Sequence, residues 1–196
     1  QNLLDQIRRT FKEARITHIY ASTEAGALFA VQDGMEGFPA QWLSSGVDGV
    51  DLRIVDSVLE VRSPRGMEQA EGAVANGGWL RTGDMVEVQG ERVLFLGRVD
   101  SLINVGGSKV LPEEIERVVL ATPGVREARA YGVRNPIVGQ LVAVDVVATE
   151  MNELEALRAM ILDKAQANLA PYKVPRTVRF VESLKATEAG KKDRSR

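Results

Sequence analysis

A polar segment that contains three glycines, Gly97 to Gly107, interrupts the hydrophobic pattern near the middle of the chain. A change of this kind is typical of a domain boundary, because few contacts cross such a segment. It divides the chain into residues 1–98 and 99–196, and a part of about 100 residues is large enough to bury a core. The sequence therefore predicts two consecutive units.

The first part consists mainly of predicted strands and turns. Residues 2 to 14 carry apolar side chains at helical spacing and predict one helix, followed by a short buried strand at residues 16–20. Apolar and polar residues alternate over residues 49–63, which predicts a hairpin that turns at residues 56–57. A second hairpin is predicted over residues 85–96. These elements predict part of a small barrel or folded sheet.

The second part mixes helices with strands. Pro112 suits the first position of a helix, and strands are predicted at residues 126–133 and 141–148. Asn152 and Glu155 have the spacing of a capping pair for a second helix, and a last strand is predicted at residues 177–181. The expected fold class is α+β, with a short sheet flanked by helices in this part.

Composition excludes several classes of function. Lys and Arg total 25 against 27 for Asp and Glu, so a net charge of −2 indicates neither a nucleic-acid nor a membrane partner. The absence of cysteine excludes disulfides and thiol nucleophiles, and one histidine cannot build a metal cluster. No apolar run approaches the roughly 20 residues of a membrane helix. We expect a cytoplasmic protein, and because the chain begins with Gln1 we expect it to be part of a longer one.

A motif with nucleotide-binding chemistry follows the first predicted strand and reads Tyr20-Ala21-Ser22-Thr23-Glu24. The Thr23 hydroxyl can donate to a phosphate oxygen, and the Glu24 carboxylate is a hard oxygen ligand that suits Mg²⁺. The ring of Tyr20 can stack on a base. By itself such a pentapeptide is more often a loop that only caps the following segment.

A second motif, Gly78-Trp79-Leu80-Arg81-Thr82-Gly83-Asp84, leads into the second hairpin. An aspartate held after a tight glycine turn is well placed to accept hydrogen bonds from both hydroxyls of a ribose. The alternative is a plain turn in which Asp84 bonds its own backbone. The sequence alone leaves both interpretations open.

The third motif runs from Gly97 to Glu116 and includes Arg98, Asp100, Gly106 and Gly107. In their order and spacing, the three motifs together resemble the adenylate-forming superfamily of acyl-CoA synthetases, firefly-type luciferases and peptide-synthetase adenylation domains. The resemblance covers essentially the whole chain. It implies that residues 1–98 end a large AMP-binding domain and that residues 99–196 form a small mobile C-terminal domain.

The resemblance also implies roles for individual residues of the first two motifs. Tyr20 would lie on the adenine, Thr23 at the α-phosphate and Glu24 at Mg²⁺. Asp84 would bind the ribose, and Arg98 would reach it too. Position 21 carries alanine where the family usually has glycine, which reduces the freedom of the backbone in this motif.

In the second part, the resemblance makes Asp100 the hinge between the two domains. Gly107 would line the channel for the coenzyme A thiol, while Asn104 stands where many members carry lysine. Lys191, in the Gly190-Lys191 pair near the end of the chain, would be the catalytic lysine of adenylation. Read without the resemblance, this segment is a solvated basic tail.

The implied activity is the ATP-dependent conversion of a small carboxylic acid to an acyl-adenylate, with release of pyrophosphate and transfer to coenzyme A. The implied ligands are ATP or AMP, Mg²⁺ and coenzyme A. A carrier protein is the alternative acceptor, and a degenerate, non-catalytic nucleotide-binding module is the alternative outside enzymes. The phosphate loop and acid pocket of the family are not found in these 196 residues, so we expect the isolated chain to be inactive.

Overall fold

The structure of the protein is a computed structural model that describes residues 2–22, 26–63, 77–150 and 152–184. The contacts divide the chain into two compact units, Gln1–Val99 and Asp100–Arg196. Strands and helices occur in both units, which confirms the predicted α+β class. That the second unit is a mobile lid stays a prediction. Among the described residues, no helix combines the length and apolar character required to cross a membrane.

The described residues of the first unit form two separate sheets. Helix α1 (Asn2–Thr10) precedes strands β1 (His18–Ser22) and β2 (Gly26–Val31), which form an antiparallel pair. Five further strands form an antiparallel sheet in the order β3-β7-β6-β5-β4, beside a short helix α2 (Trp42–Ser45). Their bounds are Phe38–Pro39 for β3, Asp51–Val55 for β4, Val58–Arg62 for β5, Leu80–Gln89 for β6 and Arg92–Arg98 for β7.

The turn between β4 and β5 is where the alternation placed it. Asp56 and Ser57 both adopt positive φ angles, 51° and 61°, as the central residues of a type I′ turn do. This backbone twist matches that of the flanking strands, so the two-residue loop fixes the register of Val55 opposite Val58. The predicted first hairpin is confirmed. The second is confirmed too, with strands longer than predicted at both outer ends.

The core of the first unit combines aliphatic side chains with a cluster of aromatic rings. Phe29 and Phe38 are almost fully buried, and the ring of Phe29 meets that of Phe38 at 5.3 Å and that of Trp42 at 5.6 Å between centroids. Edge-to-face and offset stacks of this kind add to the free energy of area burial. Phe95 of β7 extends the cluster, 5.7 Å from Phe38. This cluster is the platform on which the candidate site is built.

Among the described glycines of this unit, Gly37 lies closest to the backbone of another strand. Its φ is +71°, and a Cβ added there would lie 2.0 Å from the carbonyl oxygen of Val93. Gly90 has a similar φ of +59° but open space around the added atom. The two glycines therefore separate the cost of the left-handed backbone from the cost of a steric clash.

We expect Gly37→Ala to destabilise the first unit more than Gly90→Ala does. The left-handed conformation costs roughly 1–2 kcal/mol in either variant, and the clash at position 37 adds about 1–3 kcal/mol more. Urea denaturation of the two variants measures the difference. Equal free energies of unfolding would show that β3 can move away from β7 at no cost.

The second unit is a five-stranded sheet with two helices. Strands β10, β11, β8 and β9 are neighbours in that order, and β12 pairs with β11 in parallel. Their bounds are Ile103–Val105 for β8, Ser108–Val110 for β9, Val125–Asn135 for β10, Gly139–Ala148 for β11 and Thr177–Phe180 for β12. Helices α3 (Pro112–Leu120) and α4 (Leu154–Asn168) supply the rest of the core, in which Ile115, Val144 and Ile161 are fully buried.

Several helices and strands begin or end at residues other than those predicted from the sequence. Helix α1 ends at Thr10 rather than residue 14, and β1 begins at His18 rather than residue 16. The predicted capping pair of Asn152 and Glu155 is wrong. Helix α4 begins at Leu154 after Glu153, which has a left-handed backbone with φ 53° and no side-chain cap. An N-cap residue normally has an extended backbone, so the helix start at Glu153 cannot form a capping box.

Candidate functional site

Asp84 lies in β6, directly opposite Arg98 at the end of β7 in the antiparallel register. Its carboxylate accepts a hydrogen bond at Oδ1 from Nη1 of Arg98, at 3.3 Å. Its backbone N–H donates to the hydroxyl of Thr82 at 3.1 Å, and that hydroxyl donates to the carbonyl of Leu59 at 2.8 Å. The motif around Thr82 thus links Asp84 to three strands of the sheet.

Gly83, between Thr82 and Asp84, has a left-handed backbone with φ +78°. A Cβ added there would lie 3.2 Å from Nη2 of Arg98. Glycine at this position therefore leaves room for the guanidinium and allows a left-handed backbone within β6.

Tyr20 of β1 completes the group from the other sheet. Its hydroxyl donates to Oδ2 of Asp84, although the two residues are 64 positions apart. Its ring stacks on Phe29 and Phe95, with centroid distances of 5.0 and 5.2 Å. Burial raises the pKa of the Tyr20 phenol far above its usual value, and the hydrogen bond to Asp84 raises it further. Tyr20 is therefore a hydrogen-bond donor at every physiological pH.

These side chains line a cavity of about 390 Å³. Its wall combines the rings of Tyr20, Phe29 and Phe95 with the carboxylate of Asp84 and the guanidinium of Arg98. An apolar wall with a few convergent polar groups is typical of small-molecule sites, and the volume is in their range of about 300–1,000 Å³. The side chain of Asp84 keeps 19 % of its surface exposed, so a ligand can reach its carboxylate.

The structure brings together three of the residues singled out in the sequence, Tyr20, Asp84 and Arg98. Thr23, Glu24 and Lys191 lie outside the described residues. Phe29 and Phe95 were not identified as site residues. The only signal for them was their position in apolar strands next to two of the motifs.

Asp100 and Gly107 belong to the second unit. Asp100 lies in a short 3-10 turn, Val99–Ser101, at the point where the first unit ends. Gly106 and Gly107, with φ angles of 58° and 87°, form the loop between β8 and β9, and an added Cβ would meet no atom within 4 Å at either. The backbone N–H of Asn104 donates to Oε1 of Gln140 at 2.7 Å. The hinge and channel roles stay predictions.

Known proteins resemble both units. Residues 114–191 match the family described as the AMP-binding enzyme C-terminal domain. Over 210 residues, the chain is 30 % identical to an indoleacetate–CoA ligase of Aromatoleum aromaticum, covering 97 % of this chain and 40 % of that protein. Over residues 114–191 the chain belongs to this AMP-binding family, and along its length it resembles the adenylate-forming CoA ligases. The resemblance drawn from the three sequence motifs is therefore confirmed.

Solved structures of adenylate-forming enzymes share the fold. ATP-bound MatB from Rhodopseudomonas palustris is 25 % identical, with a TM-score of 0.77 over 96 % of this chain and 41 % of that one. The amide bond synthetase McbA from Marinactinospora thermotolerans is 26 % identical, with a TM-score of 0.75 over 98 % of this chain and 42 % of that one. The chain thus spans about two fifths of the length of these relatives. The activity and substrates of the whole protein are therefore proposals.

Proposed function

We propose that the chain is part of an AMP-forming acid–CoA ligase and that its cavity binds the nucleoside of ATP and of the acyl-adenylate. The observation that carries this proposal is the partly exposed carboxylate of Asp84, which faces an aromatic cavity between the hydroxyl of Tyr20 and the guanidinium of Arg98. A carboxylate accepts hydrogen bonds only, which suits the two hydroxyls of a ribose.

The remaining groups of the cavity suit the rest of a nucleoside monophosphate. An aromatic wall favours a flat base, because stacking does not depend on the identity of the base. Arg98 keeps 43 % of its side chain exposed beside Asp84. Its positive charge offsets the negative charge of the Asp84 carboxylate and so limits the repulsion between that carboxylate and a phosphate. We infer that ATP and AMP bind in this cavity and that Thr23 lies at the α-phosphate.

The proposed reaction has two steps. An oxygen of the acid's carboxylate attacks the α-phosphorus of ATP, and the bond to pyrophosphate breaks. Two anions must meet in this step, and Lys191 would stabilise the charge that develops between them. Glu24 offers a hard oxygen ligand for Mg²⁺, which when bound would offset the charge of the departing pyrophosphate. A thiol then attacks the acyl carbon and AMP leaves.

We propose that the second unit takes part in both steps in turn. Adenylation needs a cation at the carboxylate, whereas thiol attack needs an open path to the acyl carbon. A hinge at Asp100 would bring first Lys191 and then the loop at Gly107 to the nucleotide. The 196 residues alone would then not complete the reaction, because the relatives are about two and a half times as long.

The acceptor of the acyl group is coenzyme A in this proposal. The names of relatives support it, since an indoleacetate–CoA ligase and a sulfoacetate–CoA ligase of Cupriavidus necator, the latter 38 % identical over 125 residues, both use that acceptor by name. A carrier protein is the alternative, and the similarity to an amide bond synthetase adds an amine as a third acceptor to be compared. Incubating the full-length protein with each acceptor and one pool of acids distinguishes them.

Asp84→Asn in the full-length protein tests the nucleoside site. Hydrogen bonds to a charged group contribute about 1.5–3 kcal/mol each, so we expect ATP and AMP to bind on the order of 10–100-fold more weakly. Titration calorimetry with each nucleotide measures the change.

Asp51→Asn is the matched control. Asp51 is an exposed aspartate of the same sheet that also pairs with an arginine, Arg62, at 2.7 Å, and it does not line the cavity. Its substitution removes the same charge and should change nucleotide affinity less than twofold, roughly the effect expected of a distant exposed charge. Equal affinities in Asp84→Asn and Asp51→Asn would rule out Asp84 as the ribose ligand.

A further inference from the structure

We infer that the hydroxyl of Tyr20 is a positioning group for ribose recognition, which together with Arg98 holds the carboxylate of Asp84 so that each of its oxygens keeps one site open for a sugar hydroxyl. This inference rests on the proposed function of the cavity. It gives Tyr20 a role beyond stacking on a base and predicts that the enzyme selects nucleotides with an intact 2′,3′-diol through a residue that does not touch the sugar.

The two oxygens of Asp84 are bonded separately. Oδ2 accepts from the hydroxyl of Tyr20 and Oδ1 accepts from Nη1 of Arg98 at 3.3 Å. A carboxylate oxygen has two lone-pair sites, and among the described residues each oxygen of Asp84 has one such partner, which leaves one site on each for a ligand. Two adjacent hydroxyls of one ribose match two open sites on one carboxylate.

The hydroxyl of Tyr20 is held firmly in place. The ring stacks on Phe29 and Phe95, and the backbone of Tyr20 pairs with that of Phe29 in β2, directly before a shift in the register of the two strands. The raised pKa keeps the hydroxyl protonated, so it always donates. A side chain locked by packing can fix the orientation of a neighbour to the tolerance that a binding site requires.

The arrangement differs from a purely structural tyrosine–aspartate bond elsewhere in the chain. Tyr131 also donates to an aspartate, Asp145, at 3.0 Å, but Asp145 is fully buried and accepts from two arginines as well. Asp84 is partly exposed and faces a cavity. The hydrogen bond between Tyr131 and Asp145 lies in a core, whereas the bond between Tyr20 and Asp84 leaves its acceptor accessible to a ligand.

Tyr20→Phe in the full-length protein tests the inference, because it removes the hydroxyl and keeps the ring. Dissociation constants are measured for ATP, 2′-deoxyATP and 3′-deoxyATP. We expect ATP to bind about 5–20-fold more weakly, because the charged carboxylate of Asp84 loses a hydrogen bond that orients it. The affinities of the two deoxynucleotides should change less than about threefold. The preference for ATP over either deoxynucleotide should therefore fall.

Tyr131→Phe is the control, since it removes a tyrosine–aspartate hydrogen bond of the second unit. It should lower stability and leave the nucleotide preference unchanged. Tyr20→Leu is the second variant: it removes ring and hydroxyl together, so it should weaken all three nucleotides and also reduce the preference for ATP. Thermal unfolding of each variant checks that it is folded at the temperature of the binding measurements.

The outcomes separate this inference from the proposed function. If Asp84→Asn abolishes the preference for ATP while Tyr20→Phe retains it, the ribose site stands and the positioning role of Tyr20 is wrong. Tighter binding of ATP by Tyr20→Phe overturns the inference too, because the hydroxyl would then compete with the sugar. If Asp84→Asn leaves the preference intact, the proposed nucleoside site itself fails.

Discussion

Replacing Lys191 by alanine in the full-length protein is expected to slow formation of the acyl-adenylate by on the order of 10²–10³-fold, the usual effect of removing one group that stabilises charge in a transition state. Lys191 lies outside the described residues, so the expectation rests on the family resemblance of the Gly190-Lys191 pair. Pyrophosphate exchange into ATP measures this step.

The second half-reaction should be spared. Attack of a thiol on a supplied acyl-adenylate does not bring two anions together, so loss of the ammonium should change its rate little. Lys192→Ala is the matched control, because it removes the same charge from the neighbouring residue. Equal losses in both half-reactions, or equal losses in the two lysine variants, would count against a specific role for Lys191 in adenylation.

Asp145→Ala is expected to cause the largest loss of stability in the second unit. Asp145 is fully buried and accepts hydrogen bonds from Arg129 at 2.6 Å, from Tyr131 at 3.0 Å and from both Nε and Nη2 of Arg179 at 2.9 Å. Its removal leaves the charge of Arg129 buried, and breaking a buried ion pair costs about 3–5 kcal/mol. Urea denaturation of the 196-residue chain measures the free energy of unfolding.

Asp163→Ala serves as the control for Asp145→Ala. Asp163 is an exposed aspartate of helix α4 in the same unit, and its substitution should stay within about 0.5 kcal/mol. A loss at Asp145 as small as that at Asp163 would show that the buried arginine finds other acceptors.

Asp145 also gives the second unit a defined dependence on pH. Burial alone would raise the pKa of this carboxyl, but the hydrogen bonds from Arg179, Arg129 and Tyr131 outweigh burial and lower it. The folded pKa then lies below the unfolded value of about 3.9, so the stabilisation is complete above about pH 4 and is lost as the pH falls through the folded pKa. Between about pH 3 and 6, the free energy of unfolding from denaturation curves should depend less on pH in Asp145→Ala than in the unaltered protein.

Local patterns in the sequence account for much of the fold. The hairpin turn at Asp56 and Ser57 follows from alternation on both sides of two residues that tolerate a turn, and that information is contained in about ten neighbouring residues. The hairpin of β8 and β9 was not predicted. Its strands have three residues each, too few for a period to show. Helix α4 began differently because the backbone of Glu153 is left-handed.

The family was likewise determined by the sequence, since three ordered motifs each carry their chemistry within a few residues. The contact between Tyr20 and Asp84 was not, because 64 positions separate them and no spacing rule joins two strands of different sheets. The same holds for Asp145, which meets arginines of two neighbouring strands, one of them antiparallel and the other parallel to its own. Sequence patterns record the local preferences of the backbone, whereas the orientation of a carboxylate depends on the side chains that packing places around it.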